Sequence, residues 1–413
     1  MTVATQIEQT FREEHGRVMA ALISQLGDFT LAEDALQDAL VNALERWEID
    51  GAPRNPGAWL LTVARRRAID RLRRVETLER KVALLEALAT QDGPDMDEYD
   101  TLPDERLKLM FTCCHPALAL EAQVALTLHT IGGLSTQAVA RAFLVPIPTM
   151  AQRLARARNK IRNAGIPYGV PPAELLPERL DALLAVIYLI FNEGYVATDS
   201  GATSDEPLIR YELCDEAIRL GQILVTLLPQ SAEVRGLLAL MLLHDARREA
   251  RINPAGDLIL LAEQDRTHWD QAKIQAGIAV LDQALALRTP GPYQVQAAIS
   301  ALHAEAQTTE ATDWQQIALL YATLARMMPS MVVAVNHAVA VAMAWGASAG
   351  LQLLLRLDQQ ADGFYPYHAA RADLLRRTNQ REAAAEAYAR ALALCSNSAE
   401  RAYLQRRLDE LII

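Results

Sequence analysis

Apolar residues recur at helical spacing through much of the chain, and β-branched runs are scarce, so the pattern predicts an all-α fold. From Leu31 to Trp47, the residues Ala32, Leu36, Leu40, Ala43 and Trp47 fall on one stripe of a helix. Asp34, Gln37, Asp38 and Glu45 share another, acidic stripe. In Arg54 to Arg74, Asn55 is placed to cap a helix and Pro56 to open it, with Leu61, Ala64, Ala68 and Leu72 facing inward. From Leu134 to Arg162 two shorter patterns follow one another. Ser135 caps a helix that carries Val139 and Phe143 inward, and the chain turns at Leu144 to Ile147. A second helix then opens with Pro148 in its first turn and buries Met150, Leu154, Ala157 and Ile161. This is the order of a helix-turn-helix.

Breaks in composition divide the chain. Gln91 to Glu105 holds seven acids, no base, two prolines and a glycine, the content of a linker. Gly165 to Pro177 contains four prolines, which predict a stiff extended connection. Polar stretches at Ala197 to Pro207 and Arg251 to Gly256 read as loops. The expected organisation is a helical domain over 1–75, a linker over 76–102, the helix-turn-helix domain over 103–166, a Pro-rich linker over 167–177 and a helical body over 178–413. Within that body Gly346 and Asn379, 33 residues apart, each join two helical segments. That period suits tetratricopeptide-like hairpins. The pair His368 to Arg377 and Glu382 to Leu394 carries Ala372, Ala384, Ala391 and Tyr388 where such hairpins interdigitate, and Pro329 follows an earlier helix containing Tyr321.

Charge sharpens the picture. The chain carries a net charge of -11, which argues against a general nucleic-acid coat. Yet the 21 residues from Arg54 to Arg74 hold seven arginines against one aspartate, and Arg141 to Arg162 contains no acid. These two stretches are candidate phosphate-facing surfaces. On the first, Arg54, Asn55, Trp59, Arg65, Arg66, Arg67, Arg71, Arg73 and Arg74 are the candidate contacts, with Trp59 suited either to core packing or to stacking on an extruded base. On the second, Ser135, Thr149, Gln152, Arg153, Arg156, Arg158 and Lys160 combine groups that hydrogen-bond base edges with cations for phosphates. Arg141 and Arg162 extend that surface. The acidic stripe Asp34, Gln37, Asp38 and Glu45 is either solvated or a face for a basic protein partner.

Other chemistry is weaker. Apolar residues make up 51% and charged ones 22%, which excludes wholesale disorder. The longest apolar run, Ala182 to Phe191, is short of the roughly 20 residues a bilayer requires, and four cysteines form no disulfide framework. A cytoplasmic protein without membrane contact is expected. Cys113, Cys114 and His115 are adjacent, so a helix cannot turn all three toward one ion; core packing is expected, with no metal and no cofactor. Glu193, His244, Asp245, Asp265 and His268 could line an enzyme pocket, although acids and histidines are common in such a body. The expectation is a non-enzyme, and a free-standing operator-binding regulator is the other rival.

With both basic elements in place, the first 165 residues resemble a two-domain extracytoplasmic-function sigma factor. The motifs are AEDALQDALVNAL (Ala32 to Leu44), PGAWLLTVARRRAIDRLRR (Pro56 to Arg74), LPDERLKLMF (Leu102 to Phe111) and Gly133 to Arg158. The resemblance makes 1–75 sigma region 2 and 103–166 sigma region 4. It implies that Asp34, Gln37, Asp38 and Glu45 contact core RNA polymerase, through its clamp coiled coil, and that the polymerase flap is also met. It implies that Arg65 to Arg67, Arg71, Arg73 and Arg74 contact the promoter -10 element, and that Gln152, Arg153 and Arg156 read the -35 element. The family usually has glycine where Leu144 and Pro148 stand here. The C-terminal body resembles the tetratricopeptide-like extension of one subgroup, in YLIFNEGY (Tyr188 to Tyr195), LCDEAIRL (Leu213 to Leu220), LLALMLLHDAR (Leu237 to Arg247) and EQDRTHWD (Glu263 to Asp270). That likeness implies a regulator in cis or a platform for a protein partner.

Overall fold

The computed structural model describes residues 3–74, 104–143, 145–195, 211–251, 259–357, 361–395 and 398–412. All regular elements among the described residues are helical, as the spacing predicts. The chain divides into two compact units, Met1–Leu189 and Ile190–Ile413.

The first unit opens with α1 (Val3–Leu26), α2 (Phe29–Asp50) and α3 (Pro56–Arg74), each packed on the other two. Asp28 caps α2 by accepting hydrogen bonds from the Thr30 and Leu31 amides, donors that a first helical turn otherwise leaves unpaired. Asn55 Oδ1 accepts from the Ala58 amide at 3.0 Å and starts α3 in the same way. The expected inward stripes hold: Ala32, Leu36, Ala43 and Trp47 of α2 and Leu61, Ala64, Ala68 and Leu72 of α3 are buried. Leu40 is only half-buried, and Ala35 and Ala39 take its place in a seam of small side chains.

The same unit continues through α4 (Arg106–Cys113), α5 (Leu120–Thr130), α6 (Thr136–Ala142) and α7 (Ile147–Asn163). Ser135 Oγ accepts from the Ala138 amide at 3.1 Å and caps α6. Pro148 sits in the first turn of α7, where its missing N–H costs no hydrogen bond. Met150, Leu154, Ala157 and Ile161 are buried, and α6 packs on α7 as the two members of a helix-turn-helix. Phe143 is half-buried rather than fully inward, with the Arg153 guanidinium 6.0 Å from its ring centroid. Leu144, the candidate linker 76–102 and the loop at 197–207 lie outside the described residues.

Helix α8 (Leu176–Tyr195) begins at the end of the Pro-rich stretch and runs through the division between units. Arg179 donates to the Phe111 carbonyl at 2.6 Å, so its first turn belongs with the first unit.

The second unit contains α9 (Tyr211–Leu227), α10 (Ala232–Asp245), α11 (Gln271–Ala286), α12 (Pro292–Glu305), α13 (Trp314–Met327) and α14 (Met331–Trp345). It ends with α15 (Ala347–Leu355), α16 (Tyr365–Arg377), α17 (Arg381–Leu394) and α18 (Ser398–Ile412). Most of these helices pack on the next in sequence. The two turns 33 residues apart are real junctions: Gly346 (φ 102°) joins α14 to α15, and Asn379 (φ 61°) lies between α16 and α17. Both occupy the left-handed region, which glycine and asparagine tolerate best. Ala372, Ala384, Ala391 and Tyr388 are buried in one cluster with Tyr367 and Leu354, where the small residues leave room for the tyrosines.

Leu61 is fully buried, whereas Leu44 is 49% exposed. Leu61→Ala is expected to cost about 2–5 kcal/mol in chemical denaturation, and Leu44→Ala to stay within about 0.5 kcal/mol of the wild type.

Candidate nucleic-acid interface

The arginines of α3 do not share one fate. Arg66 and Arg67 are exposed, and Arg54 stands exposed just before the helix. Arg65 is 4% exposed and turns into the core. It falls three or four positions from Leu61 and Ala68, on the inward stripe, so it is removed from the solvent-facing set. Arg71 is half-buried and bridges to α2, with one guanidinium nitrogen 2.5 Å from Asp34 and the other 2.9 Å from Asp38. Two residues of the acidic stripe and one of the basic stripe are thus already paired with each other. Trp59 is half-buried and meets Trp47 edge to face at 5.5 Å between centroids, which makes it a packing residue with one side still open to solvent. The side chains of Arg73 and Arg74 lie outside what the structure describes.

On α7 the structure places Thr149, Gln152, Arg156 and Lys160 together on the exposed face, each about one turn from the next. Their amide, hydroxyl and cationic groups can meet base edges and phosphates from one groove. Ser135 is exposed but its hydroxyl is engaged as a cap. Arg153 is half-buried over Phe143. Arg158 departs furthest from the expected surface: it is 19% exposed and lies 2.8 Å from Glu33 of α2. The other Glu33 oxygen meets His129 Nε2, while His129 Nδ1 faces the Leu134 carbonyl at 2.7 Å. Both ring nitrogens face acceptors, an arrangement that the imidazolium form satisfies. Burial pushes the Glu33 carboxyl up, but the His129 hydrogen bond and the Arg158 charge outweigh it and hold it below the ordinary glutamate range.

The other candidate groups are engaged within the fold. Cys113 and Cys114 are buried, and burial pushes the Cys114 thiol up to about 12 and that of Cys113 well above its usual value. Both are protonated packing residues. His115 Nδ1 accepts from the Ala117 amide. Asp245 is 1% exposed and pairs with Arg248 and Lys273, Asp265 accepts from Thr267, and His244 meets Ser300 at 3.0 Å. His268 pairs with Asp265 at 3.6 Å, and the Asp270 amide just after them donates to the Ala246 carbonyl at 2.8 Å, which brings their turn against the end of α10. No cluster of metal-ligating side chains occurs among the described residues.

Comparison with known proteins places both basic helices. Residues 10–77 match Sigma-70 region 2 and residues 108–161 match Sigma-70, region 4. The ECF RNA polymerase sigma factor SigK of Mycobacterium tuberculosis (strain ATCC 25618 / H37Rv) is 29% identical over 152 residues, 36% of this chain and 79% of that protein. The first part of the chain thus carries the two domains found in ECF-type sigma factors, Sigma-70 region 2 and region 4. The chain is also 41% identical, over 100% of its length and 97% of the relative's, to the uncharacterized protein R00370 of Rhizobium meliloti (strain 1021). Residues 179–285 match DUF6596, a family of unknown function. No solved structure matches. No described helix is long and apolar enough to cross a membrane.

Sequence reasoning missed part of the α2 surface. Val41 and Leu44, 56% and 49% exposed, stand on the same outer face as Gln37 and Glu45. Their spacing of four, three and one residues from Gln37 to Glu45 was a readable signal, since apolar residues off the inward stripe face solvent or a partner. Asp34, Asp38 and Arg71 keep 38–47% of their side-chain surface, so solvent screens the pair. Arg71→Ala is expected to lower the stability of the protein by no more than about 1 kcal/mol in denaturant melts, and a double-mutant cycle with Asp38→Asn to show a coupling of that size or less.

Proposed function

We propose that the protein directs core RNA polymerase to a specific set of promoters. Region 2 places the exposed Arg54, Arg66 and Arg67, with Arg73 and Arg74, against the -10 element. Region 4 sets α7 in the -35 major groove, where Gln152 and Arg156 reach base edges and Thr149 and Lys160 reach the backbone. Trp59, at the open end of the Trp47 pair, flanks a base extruded from the duplex. The outer face of α2, with Gln37, Val41, Leu44 and Glu45, meets the polymerase clamp coiled coil, and region 4 meets the flap. The helical second unit is a tetratricopeptide-like extension that regulates the first in cis or receives a protein partner. The observation that carries this reading is the pair of exposed cationic faces, on α3 and α7, in the two segments matched to sigma regions.

Run-off transcription with purified core polymerase tests it. The expected result is a promoter-specific transcript that requires both this protein and core enzyme. Arg66→Ala with Arg67→Ala should weaken output on all cognate promoters and lower the salt slope of binding by about one for each phosphate no longer neutralised. Gln152→Ala should instead relax preference at one base position by about 1–3 kcal/mol. Leu44→Ala should weaken core binding without changing stability. Sequence-specific DNA binding without any polymerase-dependent transcript would contradict the reading and favour an operator-binding regulator. Truncation after Leu189 should change transcript yield; unchanged yield would reject the regulatory role of the second unit.

A further inference from the structure

The segments YLIFNEGY, LLALMLLHDAR and EQDRTHWD stand apart in the sequence and take no part in the proposed promoter reading, yet basic and aromatic side chains from all three meet in the second unit. Tyr195, at the end of α8, stacks on His244 of α10 with ring centroids 5.4 Å apart. The Arg251 guanidinium lies 3.6 Å from the Tyr195 ring centroid, and Arg247 donates to the Tyr195 hydroxyl at 2.8 Å. Trp269, just before α11, joins the group to a third arginine. Its ring centroid is 5.8 Å from the Arg247 guanidinium and 4.8 Å from that of Arg266. Arg247 and Arg266 are therefore at most roughly 11 Å apart, and one indole ring serves both cations.

Like charges gathered in a sheltered place need compensation. Elsewhere in the unit carboxylates supply it: Arg219 pairs with Glu216, Arg248 with Asp215 and Asp245, and Arg376 with Asp373. Among the described residues, Arg247, Arg251 and Arg266 meet rings, hydroxyls and backbone carbonyls instead. Arg266 is fixed by donating to the His303 and Ala306 carbonyls, both at 2.6 Å, whereas Arg247 gives only one of its five N–H groups to Tyr195. Burial, with the Arg247 charge beside it, pushes the His303 imidazolium down to about 4 and holds that of His244 well below its usual value, so both rings are neutral near pH 7. Neither Nδ1 has a hydrogen-bond partner among the described residues, nor has the Nε1 of Trp269, a residue only 3% exposed. Surplus positive charge and buried polar atoms without partners thus coincide.

Arg266 and Trp269 also line a cleft of about 600 Å³, within the size range of small-ligand sites. Ile274, Gln275 and Ile278 of α11 form another part of its lining, and the exposed Glu305 is the acid among the lining residues. We propose that this cleft binds a small organic anion, with its phosphate or carboxylate group on the Arg266 guanidinium in the field of Arg247 and its apolar body against Ile274 and Ile278. The ligand supplies the negative charge that the protein withholds from these arginines, and Arg266, already held by two carbonyls, loses little freedom in meeting it. The site goes beyond the promoter reading and does not require it.

Titration calorimetry of the full chain, without polymerase or DNA, tests the site with three probes at fixed ionic strength: inorganic phosphate, phenyl phosphate and benzoate. At least one of the two ring-bearing probes is expected to bind saturably, at one site per chain. Phenyl phosphate as the tighter of the two assigns a phosphate group to the ligand, and benzoate a carboxylate. The tighter probe is expected to exceed inorganic phosphate by about tenfold, the gain from burying part of a ring. Arg266→Gln is expected to weaken binding by about tenfold or more. Because Arg266 also ties down His303 and Ala306, a second variant leaves those bonds intact: Gln275→Glu, at an exposed position of the cleft, is expected to weaken binding about threefold to tenfold by repulsion. No saturable binding of either ring-bearing probe at millimolar concentration overturns the site. Binding that either variant leaves unchanged puts the anion elsewhere, as on the cationic faces of α3 or α7, and overturns it as well. Inorganic phosphate binding as tightly as the ring-bearing probes overturns the apolar half of the site.

Discussion

An acidic chain can approach an anionic duplex only where its cations are segregated from its acids. In this protein, with a net charge of -11, the segregation is achieved by helical periodicity. On α7 the apolar stripe Met150, Leu154, Ala157 and Ile161 fixes which way the helix faces, and that leaves Gln152, Arg156 and Lys160 outside. On α3 the same rule exposes Arg66 and Arg67 and turns Arg65 inward. Function in the first unit therefore depends on packing: the cores decide the direction of the charges.

Helix α2 gathers these constraints onto one rod. Its inward alanines pack the region 2 core, Asp34 and Asp38 hold Arg71, Glu33 reaches region 4, and Gln37, Val41, Leu44 and Glu45 remain outward. One helix thus touches both sigma regions of the first unit. Glu33, His129 and Arg158 are only 12–22% exposed, so solvent screens this link less than the Arg71 pairs. Gly16 and Gly133 permit close approach of the chain segments beside it.

Much of the first unit was legible in the sequence because its determinants are local. The caps at Asn55 and Ser135, the inward stripes of α2, α3 and α7 and the helix start at Pro148 follow from residues within a turn or two of each other. Even the burial of Arg65 was implied by its distance from Leu61 and Ala68, although counting charge before position hides it. The Glu33 pairing was not legible, since its partners His129 and Arg158 lie far along the chain on other helices and no local pattern encodes it. Likewise Asp34, Asp38 and Arg71 read as two separate faces until α2 and α3 are packed together. In the second unit the repeat was visible only at Gly346 and Asn379, where the backbone enters the left-handed region and few residue types fit.

Two cationic helix faces are proposed to read one duplex at two separated places in the company of polymerase. Hydroxyl-radical footprinting of a cognate promoter fragment addresses this directly. The expected result is two protected patches about 25 base pairs apart, both dependent on core enzyme and weakened together at high salt. A single protected patch, or the same protection by the protein alone, would contradict it.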